Sequence, residues 1–227
     1  ILEKVMFQDL GAYERVAQHL VKKNVITYVN HPRRMFESYK AINKVLFPKV
    51  NGLYSVVGGN WGLGCNALHF LDLFVYLSGK KVRDINVDSV DNELVESARK
   101  GFFEFTGTLT GHLEDNSFFS IASLRGDASP TTVTILNNEQ RFVIQEGGSP
   151  QIYTFLKQTL FKSVKSDFKI EYQSDLTTEI VKDLFQENRC SLPLYEESRD
   201  THELFISALL EKYNLITGQY SLILPIT

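Results

Sequence analysis

The 227-residue sequence is 43% hydrophobic and 12% aromatic, which fits a packed globular core and excludes a disordered chain. Its 24 basic and 27 acidic residues are interspersed and leave a net charge of -3, so nucleic acid, whose binders concentrate basic residues on one face, is not the expected partner. No apolar run reaches membrane-spanning length, and Cys65 and Cys190 match neither a disulfide framework nor a metal-ligand spacing, so the expectation is a soluble cytoplasmic protein with no membrane partner.

In chain order, a short apolar segment comes first, and Asp9 then stands where it can N-cap a helix over 11–23. Tyr13, Val16, Ala17, Leu20 and Val21 recur there at helical spacing, and Asn24 ends it. Residues 25–29 read as a short buried strand, and the two together look like the end of a parallel α/β domain with a boundary near 30–32. His31, Arg33 and Arg34 cluster around Pro32, either as a solvated turn or as a grip on a phosphate or carboxylate. A second helix is predicted over 34–47, stopping at Pro48.

Residues 58–79, GGNWGLGCNALHFLDLFVYLSG, place a glycine-rich turn ahead of an apolar helix with one histidine. Cys65, His69 and Asp72 are spaced four and three apart and fall on one face. Leu63, Leu68, Leu71, Phe74, Val75 and Leu77 supply more apolar surface than a solvated helix uses, so His69 is expected to be shielded from water. Two other readings compete. Gly62, Gly64 and Ala67 fit a G-x-G-x-x-A phosphate loop with Asp84 or Asp88 as its distant acid, but that fingerprint needs a parallel βαβ unit, which the residues beyond do not suggest. Cys65, His69 and Asp72 are all zinc-ligand types, yet the first and last lie two turns apart and cannot readily meet on one ion, so no metal is expected. Trp61 either stacks on a sugar face or anchors its loop in the core. Taken alone, His69 also reads as a buried histidine satisfied by the backbone, and His19, His112 and His202 have no functional context.

Beyond this helix the pattern alternates. Phe103, Phe105 and Leu109 share one face of a predicted strand, opposite Glu104, Thr106 and Thr108, and Phe168, Ile170 and Tyr172 alternate with Lys169 and Glu171. Shorter runs at 118–124, 131–136, 141–145 and 152–156 are separated by turn formers, as antiparallel strands are. A final amphipathic helix over 196–213 carries Leu204, Phe205, Ala208 and Leu209 on one side. The expected fold is α+β, a mostly antiparallel or mixed open sheet with helices on one face, preceded by the tail of a Rossmann-like α/β domain. Phe102, Phe118, Ala122 and Leu124 fall opposite in parity to Phe103, Phe119 and Ile121, so the second sheet face is partly apolar, and a homodimer or homotetramer through the sheet is expected.

Three stretches, in order, resemble the Gfo/Idh/MocA oxidoreductases. ILEKVMFQDLGAYERVAQHLVKKNVITYVNHPRRMF resembles the segment from that family's Glu-Lys-Pro motif to an arginine-rich turn, residues 58–79 resemble its glycine-rich active-site helix, and LPLYEESRDTHELFISALLEKYN resembles its late helix. The resemblance implies that 1–30 is the last piece of a truncated dinucleotide-binding domain and 31–227 the substrate-binding and oligomerisation domain. It implies hydride transfer to or from a sugar, polyol or sugar-nucleotide carbinol, with NAD or NADP held mainly outside this chain, which alone is expected to be inactive. Lys4 and His69 match the pair that contacts the reacting carbinol, His69 as general base and Lys4 as donor to the same oxygen, and Glu3 with Lys4 is expected to border the cofactor. Asp72 matches the acid after the histidine and is expected to hold its ring. With Cys65, and with Arg34 and Trp61 from the readings above, it completes the expected substrate-binding or orienting set. Val5 replaces the usual Pro, and Cys65 replaces the usual Asp. That second departure motivates the alternative of a non-catalytic family-like protein that binds a sugar nucleotide or serves in assembly.

Overall fold

A computed structural model describes residues 1–46, 51–126 and 128–227. Helix α1 (Leu10–Lys23) starts where the Asp9 carboxylate accepts the Gly11 N–H at 2.9 Å, and it ends where Asn24 turns left-handed at φ 51°. Residues 25–29 do not form the predicted strand: Val25 and Ile26 are 52% and 70% exposed, and only single bridges join Val29 to Leu2 and Tyr28 to Leu194. Among the described residues their pairing is limited to these bridges. Pro32–Met35 make a 3-10 turn that takes Arg34 and Met35 out of the predicted helix, so α2 covers Glu37–Val45. Phe47 and Pro48 lie outside the described residues.

The strand β1 (Leu53–Gly59) leads through a glycine turn into α3 (Leu63–Ser78), followed by β2 (Val82–Asn86), β3 (Val95–Glu96) and β4 (Phe103–Glu104). The single strand expected across 103–109 is interrupted, because Gly107 sits at φ 95° where a Cβ would lie 2.6 Å from the Ser89 carbonyl. β5 (Gly107–Leu113) starts there, and β6 (Phe118–Leu124), β7 (Thr131–Leu136), β8 (Gln140–Glu146) and β9 (Gln151–Leu156) follow at the expected places. The edge strand β10 is Ser163–Asp167, and 168–172 is extended chain without a partner strand, with Phe168 buried and Tyr172 exposed. Helices α4 (Gln173–Glu187) and α5 (Tyr195–Thr217) close the chain.

The fold is α+β. Among the described residues, eight strands form one open sheet in the order β10-β9-β8-β7-β1-β6-β5-β2, antiparallel throughout except for the parallel pair β1–β6. Register sets Tyr54 beside Phe119 and Ile135, and Val56 beside Ile121 and Val133, all buried on the helix-covered face. One residue along, Val57, Phe118 and Leu124 are 44%, 37% and 42% exposed on the other face. Helix α3 lies within the covered layer, with Leu63, Leu68, Leu71, Leu73, Phe74 and Leu77 fully buried. Such all-round burial explains its weak amphipathicity.

Candidate active site

The first turn of α3 carries Cys65, and Lys4 from the N-terminal segment reaches across to it. The Lys4 Nζ donates to the Cys65 carbonyl and lies 3.1 Å from its Sγ. Glu3 accepts from Asn30 Nδ2 at 2.7 Å. One turn further along α3 is His69, largely buried, with its Nδ1 out of water and without a hydrogen-bond partner among the described residues. Burial first, then the charge of Arg33, His31 and Lys4, holds the His69 pKa far below the usual imidazole value, so the ring is neutral.

Two further histidines adjoin it. The His31 ring lies 5.4 Å from that of His69, edge to face, and 5.3 Å from that of His202. Both are buried, and burial draws each pKa down to about 3 from 6.5. His202 Nδ1 lies 2.9 Å from the Ser198 carbonyl, which makes that nitrogen the protonated one and leaves Nε2 as a buried acceptor. His202 was not anticipated at the site, and His31 was read only as part of the cluster at Pro32. The available signal for His202 was its place in the α5 stripe with Thr201, Phe205 and Leu209, where only a buried residue fits.

Asp72 does not hold the His69 ring. Its carboxylate is buried and accepts both forks of Arg34, Nη2 to Oδ1 at 2.5 Å and Nε to Oδ2 at 3.0 Å. Burial pushes the Asp72 carboxyl up, and Arg34 opposes the shift. The cluster at Pro32 is therefore no solvated turn: Arg34 grips Asp72, while Arg33 grips Glu146 at 3.0 Å and stands 4.0 Å over the Phe70 ring. Tyr39 donates to the same Glu146 carboxylate. Trp61 packs on Phe70 at 5.6 Å, and its backbone carbonyl accepts from Asn66 Nδ2, so its loop is anchored in the core.

Glu104, on the short strand β4, also went unanticipated. Its Oε2 accepts the Cys65 N–H at 3.1 Å, and burial raises its pKa to about 7 against the Gly64 and Cys65 N–H groups and Lys4. This occupancy overturns the phosphate-loop reading. A Cβ at Gly62 would lie 2.4 Å from Glu104 Oε2, so the opening turn of α3 is filled by a carboxylate where a pyrophosphate would have to sit. Asp84, offered as that motif's acid, pairs instead with Arg83 and His112.

No family model matches the chain, and no curated protein matches it in sequence. Solved structures match its fold. A candidate NADPH-dependent oxidoreductase from Desulfitobacterium hafniense aligns with a TM-score of 0.72 at 14% identity, over 96% of this chain and 70% of that one. UDP-N-acetylglucosamine 3-dehydrogenase GnnA from Acidithiobacillus ferrooxidans aligns at 0.66 and 11% identity, over 93% and 68%. The transcriptional regulator Gal80p from Kluyveromyces lactis aligns at 0.64 and 14% identity, over 94% and 67%. This chain therefore has a fold that serves both oxidoreductases and a regulator of transcription.

Proposed function

We propose that this chain is the substrate-binding part of an NAD(P)-dependent oxidoreductase of the Gfo/Idh/MocA type, transferring a hydride to or from a sugar, polyol or sugar-nucleotide carbinol. In this reading residues 1–30 are the end of a dinucleotide-binding domain, and residues 31–227 bind substrate and assemble the oligomer through the open sheet face. The observation that carries it is the seating of Lys4 on Cys65, one helical turn from the shielded, neutral His69. The shared fold of solved oxidoreductases supports it.

NAD or NADP would supply the hydride chemistry, and Glu3 and Lys4 are the residues of this chain proposed to border it. The filled α3 turn does not fit a pyrophosphate, so that part of the cofactor is assigned to no residue here. The Lys4 ammonium donates to the substrate oxygen and stabilises its alkoxide character, and His69 takes the hydroxyl proton. With Lys4 and Arg33 nearby, the imidazolium is unfavourable until negative charge on the substrate offsets it, so proton and charge must move together. Cys65 borders the substrate, while the pairs Arg34–Asp72 and Trp61–Phe70 fix the walls.

The second reading, a non-catalytic sugar-nucleotide-binding or assembly protein, is favoured by one observation: Cys65 stands where the resemblance expects Asp, and His69 Nδ1 has no acidic partner among the described residues. Turnover of the full-length protein on sugar nucleotides with either nicotinamide cofactor separates the two. The first reading expects His69→Ala to lower kcat about 10² to 10⁴-fold with little change in KM, and Lys4→Met to lower kcat likewise. Ligand binding without turnover in the wild type, with a large rise in turnover on Cys65→Asp, would establish the second.

A further inference from the structure

We infer that Glu104 is the positioning residue for Lys4, acting through the backbone of Cys65. Cys65 is held from both sides: its N–H donates to Glu104 Oε2 at 3.1 Å, while its carbonyl and Sγ receive the Lys4 ammonium. The backbone that Glu104 fixes is thus the backbone on which Lys4 rests. Both glycines of the turn make room for this acid. A Cβ at Gly62 would stand 2.4 Å from Glu104 Oε2, and one at Gly64 would stand 3.0 Å from the same atom. Gly62 moreover has φ 67°, a conformation that L side chains avoid. The glycine-rich turn, which reads in the sequence like a phosphate cradle, is therefore shaped around an internal carboxylate.

The surroundings make the charge of Glu104 matter. Lys4 from the N-terminal segment and the N–H groups of Gly64 and Cys65 on α3 favour its ionised form, while burial favours the protonated one and wins, bringing its pKa to about 7. The Cys65 thiol is the remaining titratable group of α3 at this turn, and across β3–β4 the facing residue is Val95, which carries no charge. Near neutrality Glu104 therefore changes charge beside the ammonium that the proposed function places on the substrate oxygen. The inference rests on that reading for its consequence in turnover, while the placement of the carboxylate stands apart from it.

The test is a pH titration by NMR of the full chain, carbon-13 labelled, following the Glu104 carboxyl, the Cys65 amide and the Lys4 side-chain methylene next to Nζ. The expected result is one carboxyl midpoint near 7, with the Cys65 and Lys4 resonances moving at that same midpoint. All three transitions should vanish in Glu104→Gln, which keeps the size and the acceptor oxygen. Adding Cys65→Asp to Glu104→Gln should return a titration at Lys4, because the carboxylate then sits on α3 itself. A Glu104 midpoint at the ordinary value of 4.5, or Lys4 and Cys65 resonances that ignore it, would overturn the inference. Where the full-length protein turns over, kcat should lose its pH limb near 7 in Glu104→Gln and keep a limb in Glu104→Asp. Absence of turnover in the wild type counts against the oxidoreductase reading alone, and the titration still decides this one.

Discussion

Arg33 and Arg34 are neighbours in sequence, yet each ends on a different carboxylate, Glu146 and Asp72, in the interior of the molecule. Removing one member of the buried Arg34–Asp72 pair strands the other charge. Asp72→Asn should therefore destabilise the fold by about 3–5 kcal/mol in urea unfolding, whereas Arg34→Met with Asp72→Leu together should cost less than the sum of the single changes. Additive losses would show that the two side chains are independent. The titrating residues carry opposite signs. His31 and His202 have pKa values lowered from 6.5 to about 3, so the unfolded chain binds protons that the folded chain refuses. Their contribution is complete above pH 6.5 and is lost as the pH falls toward 3. Glu104, raised from 4.5 to about 7, contributes fully below pH 4.5 and loses that contribution as the pH rises through 7. In His202→Asn the unfolding free energy should fall less between pH 6 and pH 4 than in the wild type, by about 1–3 kcal/mol. An unchanged slope would mean that His202 is not held neutral by burial. At this scale the sequence marks the residue types but not their partners: the clustering of His31, Arg33 and Arg34 is visible, while the carboxylates they approach come from distant strands and helices.

Helix α3 was readable almost end to end, because Gly62 and Gly79 bracket it and apolar residues cover every side. Strands β6 to β9 were equally legible from alternation and the turns between them. Alternation reports one-sided burial and not a pairing partner, which is why 168–172 reads as a strand and is not, and the short run at 25–29, read as a buried strand, names no partner either. The converse failures are β1, the central strand, whose glycine ending looked like part of the loop, and α4, where Leu176 and Ile180 are the only buried residues in a polar stretch. The turn that opens α3 is the sharpest place to test the element. Gly62→Ala combines a positive φ with a Cβ 2.4 Å from Glu104 Oε2, so it should cost about 2 kcal/mol or more in denaturant unfolding. A change below about 0.5 kcal/mol would show that the turn is slack.

For the molecule as a whole, one face of the sheet is roofed by helices and the other presents Val57, Phe118 and Leu124 to water. No described helix is long and apolar enough to cross a membrane. This partly apolar sheet face is proposed to pair with a second copy, so sedimentation at micromolar concentration should give an even multiple of 25.9 kDa. Val57→Lys, at the middle of the face, should shift that mass to the monomer while changing monomer stability by no more than about 0.5 kcal/mol. A wild-type monomer would contradict the proposed interface. The chain alone should not bind NAD(H) or NADP(H) in calorimetric titration, because Glu104 already fills the helix opening that could hold a pyrophosphate, and micromolar affinity would contradict that occupancy. Lys4 and His69 are proposed to face a carbinol that exchanges hydride with a nicotinamide. The most direct test follows deuterium from the carbinol carbon of a labelled sugar nucleotide in the full-length protein. Label is expected at the nicotinamide C4 with the wild type, at a rate about 10² to 10⁴ lower with His69→Ala. A sugar nucleotide that binds but never passes label to the cofactor would overturn the hydride transfer, and a His69→Ala variant that transfers label at the wild-type rate would overturn the role of His69.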